Sequence, residues 1–118
     1  RAGGIRFVIE FETDVRPEGA VITPRGRLDM VAAPQLRSLV DDVVADGHTL
    51  LVVDFSATEF LDSSGLGAVV AGLKTARQAG GDLRIANVTG QVEMVLKLTT
   101  LDKVLRAHGT VEEALGGG

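Results

Sequence analysis

Two adjacent serine hydroxyls are the most chemically suggestive feature of this chain. They sit in the segment Asp62-Ser63-Ser64-Gly65-Leu66-Gly67, which follows an apolar run and a short loop and leads directly into a helical pattern. A helix N-terminus carries unpaired N–H groups and a partial positive charge, so Ser63 or Ser64 can hold a phosphate there. The same residue types are preferred N-caps, so Asp62, Ser63 or Ser64 can equally close the helix through a side-chain oxygen. The two uses coexist when one serine caps and its neighbour, outside the helix, offers its hydroxyl to a kinase. A phosphate would add roughly −1.5 to −2 units of charge beside Asp62. Along the following helix, Gly65, Ala68, Gly72 and Thr75 make a strip of small residues. That strip can admit a partner backbone or pack against a neighbouring helix.

Other chemistries lack their residues. Gly65-Leu66-Gly67 has no third glycine at the dinucleotide spacing, there is no Gly-Lys-Ser/Thr phosphate loop, and Ser63 is not in a Gly-x-Ser-x-Gly elbow. A hydrolase would need a base aimed at Ser63, and none is nominated. His48 and His108, beside Gly47 and Gly109, read as solvated loop positions rather than as bases or metal ligands, and Asp41-Asp42 and Glu112-Glu113 as solvated helix faces. The expectation is a binding module with no catalytic residue, no metal and no cofactor of its own.

Composition agrees with that reading. The chain has 118 residues, 45% of them hydrophobic, which suits one domain with a real core. Charged residues make up 24% and the net charge is −4, so the basic face that nucleic acid demands is missing. With four Phe and no Trp or Tyr, there are no stacking platforms for bases. Cysteine is absent, which excludes disulfides and is compatible with a reducing compartment. No apolar run reaches the roughly 18 to 20 residues of a membrane span, and Arg1-Ala2-Gly3-Gly4 lacks a signal peptide's apolar stretch. A cytoplasmic protein is expected.

The elements that must position the serines follow from periodicity. Ile5 to Glu12 alternates as a strand, Arg16-Pro17-Glu18-Gly19 reads as a turn, and Ala20 to Thr23 should pair antiparallel to the first strand. Pro24 cannot donate to a ladder, so that stretch lies at an edge, or ends or bulges there. Pro34 opens a helix with Leu36, Leu39, Val40 and Val43 on one face, stopped at Gly47. Leu50-Leu51-Val52-Val53, ending in Asp54, reads as a central strand covered on both faces. A second helix starts near Ser64, turns Leu66, Val69, Val70 and Leu73 to one face, and stops at Gly80-Gly81. Leu83 to Ala86 is a short strand, Gly90 to Leu98 a third helix with Val92, Val95 and Leu96 inward, and Val104 to Ala107 a last short strand. Thr110-Val111-Glu112-Glu113 matches a capping box opening a final helix. Residues 1–118 thus make one α/β domain with a mixed sheet of about four or five strands and about four helices, residues 1–4 and 116–118 fraying at the ends.

Gly26-Arg27-Leu28-Asp29 stands before the first helix. Leu51-Val52-Val53-Asp54-Phe55 then leads through Glu59-Phe60 to Asp62-Ser63-Ser64-Gly65-Leu66-Gly67, and the chain closes with Glu112-Glu113-Ala114-Leu115. This pattern, over nearly the whole chain, resembles the STAS domain family and within it the bacterial anti-sigma factor antagonists. The central block is the specific part. The resemblance implies a STAS-like fold and a phosphoacceptor at the first serine after the aspartate, Ser63, with Ser64 as the second candidate. It implies that an ATP-dependent anti-sigma factor kinase phosphorylates that serine, and that a metal-dependent PP2C-type phosphatase removes the phosphate. The unphosphorylated antagonist would bind the kinase and free the sigma factor, regulating transcription by partner switching. Asp62 would orient or electrostatically tune the acceptor, and Ser64 and Gly65 would shape the start of the helix. The partner-binding surface is expected at Asp62, Ser63, Ser64, Gly65, Leu66, Gly67, Ala68 and Gly72. Two alternatives stand beside it: a STAS-like subunit of a stress-signalling complex or membrane lipid transporter, and a nucleotide-binding domain using the Ser64 helix N-terminus.

Overall fold

A computed structural model of the chain describes residues 10–116. The predicted strand residues 5–9 and the termini 1–4 and 117–118 lie outside the described residues, whereas Gly116 is the last residue of a helix. Strand β1 (Glu10–Arg16) runs past the predicted end at Glu12 and turns through Pro17-Glu18, with Arg16 opposite Gly19, into β2 (Gly19–Leu28). The pair is antiparallel, as the short connection requires.

β2 continues through Pro24 because no single neighbour spans its inner side. One parallel partner covers Ala20 to Ile22, another begins at Gly26, and Pro24 falls between them, where no ladder N–H is demanded. The register shifts between Gly26 and Arg27, and Gly26, at φ 106°, adopts the backbone that the bulge needs.

Helix α1 (Ala33–Ala45) has Pro34 in its first turn and buries Leu36, Val40 and Val43. It ends at Gly47, φ 96°, where the His48 N–H donates back to the Val43 carbonyl at 3.2 Å. β3 (Leu50–Asp54) follows, then β4 (Thr58–Leu61), which pairs parallel with β2. The sequence reading had a loop here; only Leu61 of β4 is buried, so the strand carries no apolar run to announce it. Helix α2 (Ser63–Gln78) closes as α1 does, with Gly80 at φ 89° and the Gly81 N–H on the Ala76 carbonyl at 2.8 Å. β5 (Asp82–Ala86) and α3 (Gly90–Leu98) match their predicted spans closely.

The last predicted strand is displaced. Leu101–Lys103 forms a 3-10 turn, Leu105 drops into the core, and β6 is Ala107–His108, paired with β5. His108 therefore lies in a strand rather than a solvated loop, half-buried, and its Nε2 is buried without a hydrogen-bond partner among the described residues. Helix α4 (Val111–Gly116) has the expected cap: Thr110 Oγ1 accepts from the Glu113 N–H at 3.1 Å, and Glu113 Oε1 accepts from the Gly109 N–H at 3.1 Å.

Among the described residues the mixed sheet has six strands, in the order β1-β2-β3-β5-β6, with β4 alongside the far end of β2. Ile22, Leu51, Val53, Leu83 and Ile85 face a core closed by α1, α2 and α3, while Val21, Val52 and Ala86 meet α4 on the other face. β3 is central and covered on both sides, which accounts for its unbroken apolar run.

Candidate functional site

Ser63 is the first residue of α2, off the carboxyl end of β4, where open α/β sheets place their functional loops. It is exposed and Ser64 is half-buried. The cap is Asp62: its Oδ1 accepts from the Gly65 N–H at 2.8 Å, so neither serine is needed to close the helix. Asp62 Oδ2 accepts from the Met30 N–H at 3.1 Å, which ties the β2–α1 loop to the start of α2. Within that loop Asp29 Oδ1 accepts from the Val31 and Ala32 N–H groups at 3.0 and 3.2 Å, leaving Met30 and Val31 70% and 59% exposed. Those two apolar side chains stand out on a braced loop whose Met30 amide is tied to the residue before Ser63.

The other side of the junction is held by α3. The Leu61 N–H donates to Gln91 Oε1 at 2.8 Å and Gln91 Nε2 donates to the Leu61 carbonyl at 2.7 Å, so one side-chain amide supplies both bonds that an adjoining strand would make. Gly65 is required where α2 crosses β2, because a Cβ there would collide with the Leu28 carbonyl. Ser63 is thus presented by a strand–helix junction fastened to the β2–α1 loop on one side and to α3 on the other.

The predicted surface residues divide by burial. Ser63 is exposed, and Asp62, Ser64 and Gly67 are half-buried. Gly65, Ala68 and Gly72 are buried, so the small strip packs internally; at Gly72 a Cβ would press on Leu83 and Val40. At those three positions the small side chains let α2 approach α1 and the sheet closely. Leu66 is 3% exposed and forms part of the floor of a groove of about 450 Å³ beside Ser63, walled by Arg37, Gly67 and Lys74.

Sequence reasoning missed Arg37, Gln91 and the Met30-Val31 pair. Asp29 lay within a quoted motif without an assigned role. A local signal existed only for Met30-Val31, two apolar residues between Asp29 and Pro34. Two arginines have pKa values raised above the ordinary guanidinium value: Arg16, chiefly by hydrogen bonds to Asp14 and Glu112, and Arg25, by its bond to Glu12. Both belong to the β1–β2 hairpin and not to the lining of the groove at Ser63. Among the described residues, no cluster of His, Asp or Glu is arranged to hold a metal, and no helix is long and apolar enough to cross a membrane.

Comparison with known proteins agrees with this architecture. The STAS domain family model matches residues 10–114. The anti-sigma-F factor antagonist RsfB of Mycobacterium tuberculosis is 37% identical over 100 residues, 83% of this chain and 80% of RsfB. The crystal structure of an anti-sigma factor antagonist from Mycobacterium paratuberculosis superposes with a TM-score of 0.82 at 31% identity, covering 92% of each chain. The phosphorylated form of the Bacillus cell fate determinant SpoIIAA superposes with a TM-score of 0.69 at 27% identity, covering 90% of this chain and 96% of SpoIIAA. With a family match across almost the whole described chain and relatives that are anti-sigma factor antagonists, this chain belongs to the STAS domain family.

Proposed function

We propose that this chain is an anti-sigma factor antagonist working by partner switching. Unphosphorylated, it binds an anti-sigma factor kinase through the surface around Ser63 and so releases a sigma factor. The kinase transfers the γ-phosphoryl group of ATP to Ser63 Oγ, giving ADP and a proton, and the modified protein lets go. A PP2C-type phosphatase hydrolyses the phosphate and restores binding. Nucleotide and magnesium belong to the partner kinase, and this chain is not an enzyme.

The observation that carries the reading is the exposed Ser63 hydroxyl at a rigidly braced junction whose capping is done by Asp62. Because Asp62 accepts backbone amides with both oxygens, it is committed to structure rather than to activating the serine. The serine is therefore free for modification without loss of the helix start. A relative of this fold known in a phosphorylated form supports the same reading. Exposed Met30 and Val31, on the loop tied to Asp62, supply the apolar contact area a protein partner would cover.

Adding roughly −1.5 to −2 charges at that contact acts through desolvation and like-charge repulsion with Asp62. A shift from 1:99 to 99:1 takes about 5.5 kcal/mol, within what desolvating a phosphate at the contact can supply. The test is intact-mass analysis with site mapping after incubation with an anti-sigma factor kinase and ATP. One phosphate, on Ser63, is expected; none, with a kinase shown active on another antagonist, would overturn the reading.

A further inference from the structure

The groove beside Ser63 has Arg37 of α1 on one wall, Ser63, Gly67 and Lys74 of α2 on another, and Thr99 and Leu101 beyond α3 on the third. Arg37 reaches across to α2: a methyl group at Gly67 would lie 3.6 Å from its Nη2. Ser63 and Gly67 are one helical turn apart on the same face, where side chains start roughly 5–6 Å from each other. The guanidinium therefore stands within reach of a group carried on Ser63 Oγ. Arg16, Arg25, Arg27, Arg77 and Arg84 are all engaged in ion pairs. Arg37, like Arg106, makes none among the described residues, even though Asp41 follows Arg37 by one turn on α1.

We propose that Arg37 forms a phosphate-binding site in cis, its planar fork pairing with the phosphate oxygens once Ser63 is phosphorylated. Guanidinium and phosphate match in shape and charge, which a lysine ammonium cannot reproduce. The inference rests on Ser63 being the acceptor. Its consequence is that modification alters two charges at once: the phosphate arrives, and Arg37 is withdrawn from any partner carboxylate.

The other charged groups around the site are accounted for. Asp62 adjoins Ser63, with its carboxylate held by the Gly65 and Met30 amides. Asp29 is occupied by the Val31 and Ala32 amides and by Arg27. Lys74 is three turns along α2, Asp41 is on α1, and Thr99 and Leu101 are uncharged, with the oppositely charged Asp102 and Lys103 following Leu101 in the 3-10 turn. Asp62 opposes a second phosphate ionisation and Arg37 favours it.

Phosphoserine encoded at position 63 of the full chain provides the probe without any kinase. The second ionisation, about pH 6 for an unpaired phosphoserine, is followed by 31P NMR titration. The wild-type midpoint is expected about one pH unit below that of Arg37→Gln, with Arg37→Lys between them. Lys97→Gln, which removes an ion pair with Glu93 on α3, should match wild type. Equal midpoints in wild type and Arg37→Gln would overturn the site. In wild type alone, the Arg37 Nε–Hε resonance should move on phosphorylation while that of Arg77 stays; an unmoved Arg37 resonance overturns the site whatever the variant's fold. If a kinase leaves Ser63 unmodified yet the encoded phosphate titrates low, the functional reading fails and the site stands. Kinase modification with equal midpoints sinks the site alone.

Discussion

At Ser63 the chemistry depends on a division of labour between neighbours. A capping serine changed to alanine costs about 0.5–2 kcal/mol; because Asp62 holds the cap, Ser63→Ala should change stability by less than about 0.5 kcal/mol in urea unfolding. The cost should fall on Asp62→Ala instead, at about 1–2 kcal/mol, since it frees the Gly65 and Met30 amides together. Binding should instead follow the charge at position 63. In calorimetry against an anti-sigma factor, Ser63→Ala should bind like the unphosphorylated wild type and resist inactivation by ATP. Ser63→Glu should bind at least tenfold more weakly, about 1.4 kcal/mol. A Ser63→Ala protein that is much less stable would return the serine to a capping role.

The elements around the junction set how far it tolerates change. Gly65 and Gly67 look alike in sequence, two residues apart on one helix, yet they face opposite surroundings. A Cβ at Gly65 meets the Leu28 backbone, so Gly65→Ala should cost about 2 kcal/mol or more by forcing α2 off β2. Gly67 has ordinary contact distance to Arg37, so Gly67→Ala should be neutral or stabilise by up to about 1 kcal/mol through helix propensity. Thermal unfolding of the two variants separates them. Gln91 is the clamp from the other side: Gln91→Leu leaves the Leu61 amide and carbonyl without their partner and should cost about 1–3 kcal/mol. Hydrogen exchange at the Leu61 amide should accelerate ahead of that in β3; unchanged exchange would mean that water replaces the clamp.

On the scale of the whole molecule, the two faces of the sheet are unequally covered. The face under α1, α2 and α3 holds the larger core, while α4 covers Val21, Val52 and Ala86 with three buried side chains of its own. Native-state hydrogen exchange should show α4 opening at a lower free energy than β3. Leu51→Ala in the larger core should cost about 2–5 kcal/mol. Much of this plan was legible from the chain. The heptad-like spacing of Leu36, Val40 and Val43, the glycines ending α1 and α2, the apolar run of β3 and the Asp62–Gly67 block are all set by residues within a few positions of one another. Two choices left open, namely which of Asp62, Ser63 and Ser64 caps α2 and whether Gly65, Ala68 and Gly72 face a partner or the interior, and one element read as a loop, the strand Thr58 to Leu61, were decided by tertiary structure. Each depends on residues 30 or more positions away: Met30 on Asp62, Leu28 beneath Gly65, and Gly26 to Leu28 paired with Thr58 to Leu61. Local periodicity records what a residue's own helix or strand demands, but only the crossovers that lay β4 beside β2 and α1 beside α2 bring such distant groups into contact.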